Sequence, residues 1–173
     1  IRTEAKSVIK DLKSMGITPI LLTGDHKFTA KSIAEQVGIT QYIYDCLPED
    51  KVTQVQQFKK NYGKVVMVGD GINDAPALAS SDVSIAMGSA TDVSLETSDM
   101  VVMNDRLENI PRVIKLSKRV RRITLQNIMF STSVIIFLLI SNIFGVIELP
   151  TGVIAHEMST ILVILNSLRL LIK

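Results

Sequence analysis

The chain has 173 residues, 47% of them hydrophobic, 5% aromatic and none of them Trp, with a formal net charge of +2. A balance so near neutral, without a basic surface interleaved with aromatics, excludes nucleic acid as a partner. The single cysteine, Cys46, excludes an internal disulfide; with no C-x-x-C or His companion it reads as an ordinary small residue of a reducing compartment.

The first residue is Ile rather than Met, and residues 2–15 already set Ala5, Val8, Ile9 and Leu12 on one helical face, as expected of a piece of a longer polypeptide. From 17 to 103, short apolar runs alternate with helix-period stretches, the pattern of a parallel sheet covered by crossover helices. Strands are predicted at 17–22, 42–44, 65–68, 83–86 and 100–103, and helices at 27–37, 50–60, 74–79 and 92–96. Strands so nearly continuous in apolar residues belong to a sheet buried on both faces, so the expected fold is doubly wound α/β. Such sheets bind ligands beyond the carboxyl ends of their strands, here after Leu22 and Val68.

Both places hold an acid beside glycine. Thr23-Gly24-Asp25 offers a hydroxyl and backbone N–H groups to a phosphoryl oxygen. In Gly69-Asp70-Gly71-Ile72-Asn73-Asp74 the glycines permit a tight turn that converges the carboxylates of Asp70 and Asp74 and the amide of Asn73. Oxygen ligands of this kind suit Mg²⁺, which phosphoryl transfer uses to neutralise phosphate oxygens. A plain turn with helix-capping acids would use the same residues. Lys51 opens a predicted helix between the two loops, where it either reaches the same phosphate or is one more surface lysine.

From about residue 107 a helix carries Lys115, Lys118, Arg119, Arg121 and Arg122 toward an uncharged stretch, 127–147. That stretch matches the roughly 20 residues needed to cross a hydrocarbon core of about 30 Å, and the basic cluster would hold its start in the cytoplasm. Glu148, Pro150, Thr151 and Gly152 are expected to turn the chain, and residues 153–168 are apolar again apart from His156 and Glu157. The expectation is a membrane hairpin with both ends inside. An ionised group near the centre of a bilayer costs about 2.5–3.5 kcal/mol on insertion scales, so His156 and Glu157 need a task. His156 and Thr160 stand one turn apart with Glu157 adjacent, and imidazole nitrogen with carboxylate oxygen suits a borderline divalent cation once other helices add ligands. The alternative is a place near the outer interface or a bond to a neighbouring helix. Asn142, Ser131, Thr132 and Ser133 read as helix-packing hydrogen bonders.

Thr23-Gly24-Asp25, Pro48-x-x-Lys51, the run from Met67 through Gly69-Asp70-Gly71-Ile72-Asn73-Asp74 to Leu78, Ala86-Met87-Gly88 and Thr91-Asp92-Val93 together resemble the P-type ATPases of the haloacid dehalogenase-like superfamily. The resemblance implies that Thr23, Gly24 and Asp25 border a phosphorylated aspartate, that Lys51 contacts its phosphoryl group, that Asp70 ligates Mg²⁺, and that Asn73 and Asp74 complete the network. It implies that residues 1–106 are the C-terminal part of the phosphorylation domain. Residues 107–126 would then be a basic connecting helix, and 127–147 and 153–173 two membrane helices joined by an extracytoplasmic turn at 148–152. No Asp-Lys-Thr-Gly-Thr stretch occurs here, so the phosphorylated aspartate and most of the ATP-binding surface would lie in a missing N-terminal part of the same polypeptide.

His156-Glu157-Met158-Ser159-Thr160 with the following Leu162 to Leu170 resembles the last membrane helix of heavy-metal P-type ATPases, in the cobalt, iron(II) or zinc subgroup with the motif His-Glu-Gly-Gly-Thr. Met158 and Ser159 replace the glycines; zinc, cobalt, iron(II) and cadmium stay open, and copper(I) is disfavoured. The function implied is ATP-driven export of a divalent heavy-metal cation through an aspartyl-phosphate, with His156, Glu157 and Thr160 at the cation. The protein would be multi-pass in the plasma membrane, with residues before about 126 and the C-terminus cytoplasmic. The alternative is a membrane-anchored phosphatase of the same superfamily, which would have no need of His and Glu inside its anchor.

Overall fold

The computed structural model describes residues 1–70, 72–88, 98–103 and 106–171. Gly71, Thr91-Asp92-Val93 and the helix expected at 92–96 lie outside the described residues. The chain divides into two compact units, Ile1–Arg112 and Val113–Lys173.

In the first unit the order is α1 (Ala5–Ser14), β1 (Ile20–Leu22), α2 (Lys27–Val37), β2 (Gln41–Ile43), α3 (Pro48–Tyr62), β3 (Val66–Gly69), a 3-10 turn (Ile72–Asp74), α4 (Ala75–Ser80), β4 (Val83–Met87) and β5 (Met100–Val102). All pairings are parallel, but the described strands form two sets rather than one sheet: β1 with β2, and β3–β4–β5. Among the described residues no strand is hydrogen-bonded to the second side of β1 or β3. Apolar side chains of α2, α3 and α4, among them Ala30, Ala34, Val55, Ala77 and Leu78, are buried together with Ile85, Ala86 and Met87 of β4. On the face shared by Val66, Val68, Val83 and Ile85, Ile85 is buried while the three valines near β3 are exposed.

Asp82 and Asp99 hold the starts of the strands. The Asp82 carboxylate accepts the Val65 N–H at 3.0 Å and faces the ammonium groups of Lys64 at 3.1 Å and Lys59 at 3.6 Å. The Val65 N–H above all, and then Lys64, hold its carboxyl below the ordinary aspartate value. The Asp99 carboxylate accepts both the backbone N–H and the hydroxyl of the buried Ser84 at 2.9 Å, which lowers its carboxyl likewise.

The last described elements are two long helices, α5 (Asn109–Ile143) and α6 (Leu149–Leu168). α5 starts in the first unit and is unbroken through the basic cluster into the apolar stretch. It ends four residues before the sequence suggested. Gly145 at φ 67° donates to the Asn142 carbonyl at 3.0 Å, and Val146 to the Ser141 carbonyl at 2.9 Å, the Schellman closure that a left-handed glycine allows. The turn therefore occupies 144–148, not 148–152, and Pro150 sits in the first turn of α6, where its missing N–H costs nothing. Both helices are long and apolar enough to cross a membrane, with mean hydropathies of 2.0 and 1.3 over their richest windows.

Within this second unit the less exposed side chains of α5 recur as Ile123, Asn127, Ser131, Val134, Leu138 and Ser141, and those of α6 as Gly152, Ala155, Ser159, Val163, Asn166 and Ser167. Four of the six on α6 are small (Gly152, Ala155, Ser159 and Ser167), against two of the six on α5 (Ser131 and Ser141), and small residues are favoured where helices meet in lipid. Asn127 ties the stripes together: its amide donates to Ser167 Oγ at 2.8 Å, and its carbonyl oxygen accepts from Asn166 at 2.7 Å. Asn127 and Asn166 make the cross-helix bonds expected of other residues; Ser133 instead bonds within its own helix, to the Met129 carbonyl at 2.7 Å.

Candidate functional site

Thr23 leaves β1 still in the ladder, its N–H on the Ile43 carbonyl at 3.0 Å. Its hydroxyl then donates to Asp25 Oδ2 at 2.9 Å and accepts the Asp25 N–H at 3.1 Å, curling Thr23-Gly24-Asp25 into a small closed turn. The loop after β2 braces that turn, with Asp45 N–H on the Asp25 carbonyl at 2.9 Å and Cys46 N–H on the Thr23 carbonyl at 3.1 Å. A Cβ on Gly24 would stand 3.3 Å from the Cys46 carbonyl, so a small residue is needed where the loops meet. A further clasp, unforeseen from the sequence, joins His26 Nδ1 to Asp45 Oδ1 at 2.7 Å. Cys46 is buried beneath, and burial pushes its thiol above the ordinary range, in keeping with an inert packing residue.

The second loop leaves β3 at Gly69. Lys51 Nζ reaches Asp74 Oδ1 at 2.6 Å, with only 12% and 16% of the two side chains exposed. Two elements make this pair. Pro48 and the Asp50 carboxylate, which accepts the Leu47 N–H at 3.0 Å, start α3 so that Lys51 lies in its first turn. The 3-10 turn brings Asp74 back over β3, where a Cβ on Gly69 would stand 2.7 Å from Asp74 Cβ. Gly69 is required by that approach, a reason no local pattern could supply.

Asp70 and Asn73 are exposed and make no side-chain hydrogen bond among the described residues; Asp25 is exposed as well. The structure thus brings Lys51 and Asp74 together and leaves Asp70 and Asn73 free on the same loop. No cluster of three His, Cys, Asp or Glu occurs among the described residues. One free carboxylate and the second oxygen of another fit Mg²⁺, which keeps waters and takes its remaining ligands from substrate phosphate. A metal wanting an all-protein cage would not be served.

On α6, Ser159 is buried against α5 and marks the direction of contact. At 3.6 residues per turn His156 lies about 60° from that direction, Thr160 about 100° and Glu157 about 160°, while Met158 falls on the other flank. His156, Thr160 and Glu157 therefore lie on one side of α6, His156 beside the contact with α5 and Glu157 turned furthest from it, and Met158 does not join them. The hydroxyls of Ser159 and Thr160 both donate to the His156 carbonyl, at 2.7 and 3.3 Å, which leaves the lone pairs of Thr160 open.

Comparisons with known proteins agree in both units. A family model for haloacid dehalogenase-like hydrolases matches residues 1–82. A zinc-transporting ATPase of Bacillus subtilis (strain 168) is 52% identical over 171 residues, which is 99% of this chain and 27% of that protein. A probable cadmium-transporting ATPase of Listeria monocytogenes is 44% identical over 99% of this chain and 24% of its own length. The crystal structure of a zinc-transporting PIB-type ATPase in its E2.Pi state matches with a TM-score of 0.93 at 36% identity, over 99% of this chain and 28% of that one. The chain spans about a quarter of the length of the curated relatives it matches.

Proposed function

We propose, for a chain that belongs to the P-type ATPases and is similar over 99% of its length to zinc- and cadmium-transporting members, that it serves ATP-driven export of a divalent heavy-metal cation across the plasma membrane. The observation that carries this reading is one chain holding both a Lys51–Asp74 pair beside free Asp70 and Asn73 and a helix with His156, Glu157 and Thr160 on one flank. The first is suited to a phosphoryl group and the second to a cation.

In this reading the nucleophilic aspartate and most of the ATP-binding surface come from the remainder of the polypeptide. The unpaired sides of β1 and β3 and the exposed Val66, Val68 and Val83 support such a completion, because strand edges and apolar faces of a parallel sheet are normally covered. Lys51, with one N–H committed to Asp74, keeps two donors for a phosphoryl oxygen. Thr23 can exchange its bond to Asp25 for another to phosphate. Asp70 and Asp74 would hold Mg²⁺, which when bound neutralises phosphate oxygens. The exposed Lys115, Arg119, Arg121 and Arg122 favour a cytoplasmic start for the first crossing, and the hairpin then returns the C-terminus to the same side.

The test is metal-dependent phosphoenzyme formation by the full-length protein in membranes, across Zn²⁺, Co²⁺, Fe²⁺, Cd²⁺ and Cu⁺. One or two divalent ions should stimulate it, and Glu157→Gln should abolish the stimulation. Phosphorylation indifferent to every metal, and unchanged in Glu157→Gln, would overturn the cargo assignment.

A further inference from the structure

The end of the hairpin away from its turn gathers positive charge from both helices. Arg122 is the last charged residue before the uncharged run 123–147 on α5, and Arg169 is the first after the uncharged run 158–168 on α6. The guanidinium of Arg119 donates to the main-chain carbonyl of Arg169, which fixes these two arginines at one level. We propose that Arg119, Arg122 and Arg169 form a binding site for the phosphate of an anionic lipid headgroup in the cytoplasmic leaflet. The inference rests on the membrane-spanning reading above and adds to it a ligand other than the transported cation.

Three observations carry it. First, nothing in this unit neutralises the charge. No Asp or Glu occurs in 109–147 or 158–173, and Glu157, the nearest acid on α6, is twelve residues from Arg169, about 18 Å along the axis. No carboxylate pairs with Arg119, Arg122 or Arg169 among the described residues, and all three are exposed. The end of α6 offers Arg119 about half a unit of negative charge, against two guanidiniums drawn together.

Second, the donors are of the right kind and mostly unspent. Arg119 commits one N–H to the Arg169 carbonyl, and Arg169 commits one to Asn166 Oδ1 at 3.1 Å. Of the five N–H donors of a guanidinium about four remain on each, and their planar fork matches phosphate oxygens as a point charge does not. Asn166 is itself bonded to Asn127 of α5 at 2.7 Å, so the interface between the helices holds Arg169 in place.

Third, the depth is that of lipid phosphate. A hydrocarbon core of about 30 Å within a bilayer of about 40–45 Å leaves a headgroup layer of about 5–7 Å on each face. Arg119 and Arg122 are separated by about 4.5 Å along α5 and about 60° around it, so both fit that layer on one side of the helix. A carboxylate from elsewhere in the polypeptide would have to be built into the same layer, whereas lipid supplies its phosphates there in any case.

The experiment uses the full-length protein in phosphatidylcholine membranes and measures the association of spin-labelled phosphatidylglycerol against spin-labelled phosphatidylcholine. The wild type should select phosphatidylglycerol, and Arg119→Gln, Arg122→Gln and Arg169→Gln should each weaken that selection about twofold to fivefold, the effect of one basic residue near an anionic surface. Arg122 makes no side-chain hydrogen bond among the described residues, so Arg122→Gln tests the site without disturbing the hairpin. Arg119→Lys, which keeps the charge and loses the fork, should recover only part of the selection. Lys60→Gln, at an exposed base of the first unit, should change nothing; an equal loss there would show attraction by net charge and overturn the site. Equal association of both lipids with the wild type would overturn it as well, and is the result expected if a carboxylate of the remaining polypeptide occupies the arginines. Zn²⁺-stimulated phosphorylation in the same membranes keeps the two readings apart. Stimulation without lipid selection overturns this site alone, and lipid selection in a protein indifferent to every metal overturns the cargo assignment alone.

Discussion

Lys51 Nζ and Asp74 Oδ1 lie 2.6 Å apart across 23 residues of chain, in a place where both side chains are largely shielded from water. A partly buried ion pair of this kind loses most when one partner alone is removed, since the other charge is left without compensation. Lys51→Met should therefore destabilise the first unit more than the double variant Lys51→Met with Asp74→Leu. A double-mutant cycle should return a coupling of about 0.5–3 kcal/mol, measured by chemical unfolding. Additive effects would mean the pair is incidental. In the full-length protein Lys51→Met should also lower phosphoenzyme turnover by about a hundredfold, the usual cost of removing one preorganised charge from a phosphoryl or oxyanion site.

Gly69→Ala tests the same pair from beneath. Its new methyl would meet the Asp74 side chain at 2.7 Å, too close to be absorbed without moving the 3-10 turn. A destabilisation of about 1–3 kcal/mol is expected, together with a raised Mg²⁺ requirement for phosphorylation. By contrast Gly152→Ala, where the Cβ meets nothing, should leave the thermal stability of the hairpin unchanged.

The pH dependence follows from Asp82 and Asp99, both held below the ordinary aspartate value of 3.8 by N–H and hydroxyl or ammonium donors present only in the folded chain. A lowered folded pKa contributes stability above the unfolded value, and that stability is lost as the pH falls through the folded one. Asp82→Asn and Asp99→Asn should each lower the Tm of the unit that holds residues 1–112 at pH 7. Their difference from wild type should shrink steadily below pH 3.8. A difference that persisted unchanged into strong acid would show that these carboxylates act by shape alone.

In the hairpin, Asn127 is bonded to both Asn166 and Ser167. Cross-helix hydrogen bonds in membranes are worth about 0.6 kcal/mol on average and up to about 1.7. Asn127→Leu should cost that much in detergent unfolding, while Ser133→Ala, which removes only a bond within its own helix, should cost less.

Much of this protein was determined by the order of its residues alone. Helix α2 falls on the residues its periodicity marks, the five strands lie within a few residues of their apolar runs, and the two long helices follow from apolar length. These are local properties, set by side-chain period, glycine and charge. Asp70, Asn73 and Asp74 could be singled out for the same reason, since a glycine-flanked acidic loop after a strand is a local pattern. The tertiary structure decided what depends on neighbours distant in sequence. It made Gly69 the floor under Asp74 and committed Lys51 to that carboxylate. It gave the interhelix bonds to Asn127, Asn166 and Ser167. Each of these requires two segments to meet at a set distance, and that distance is fixed by packing across the fold, which no window along the chain contains.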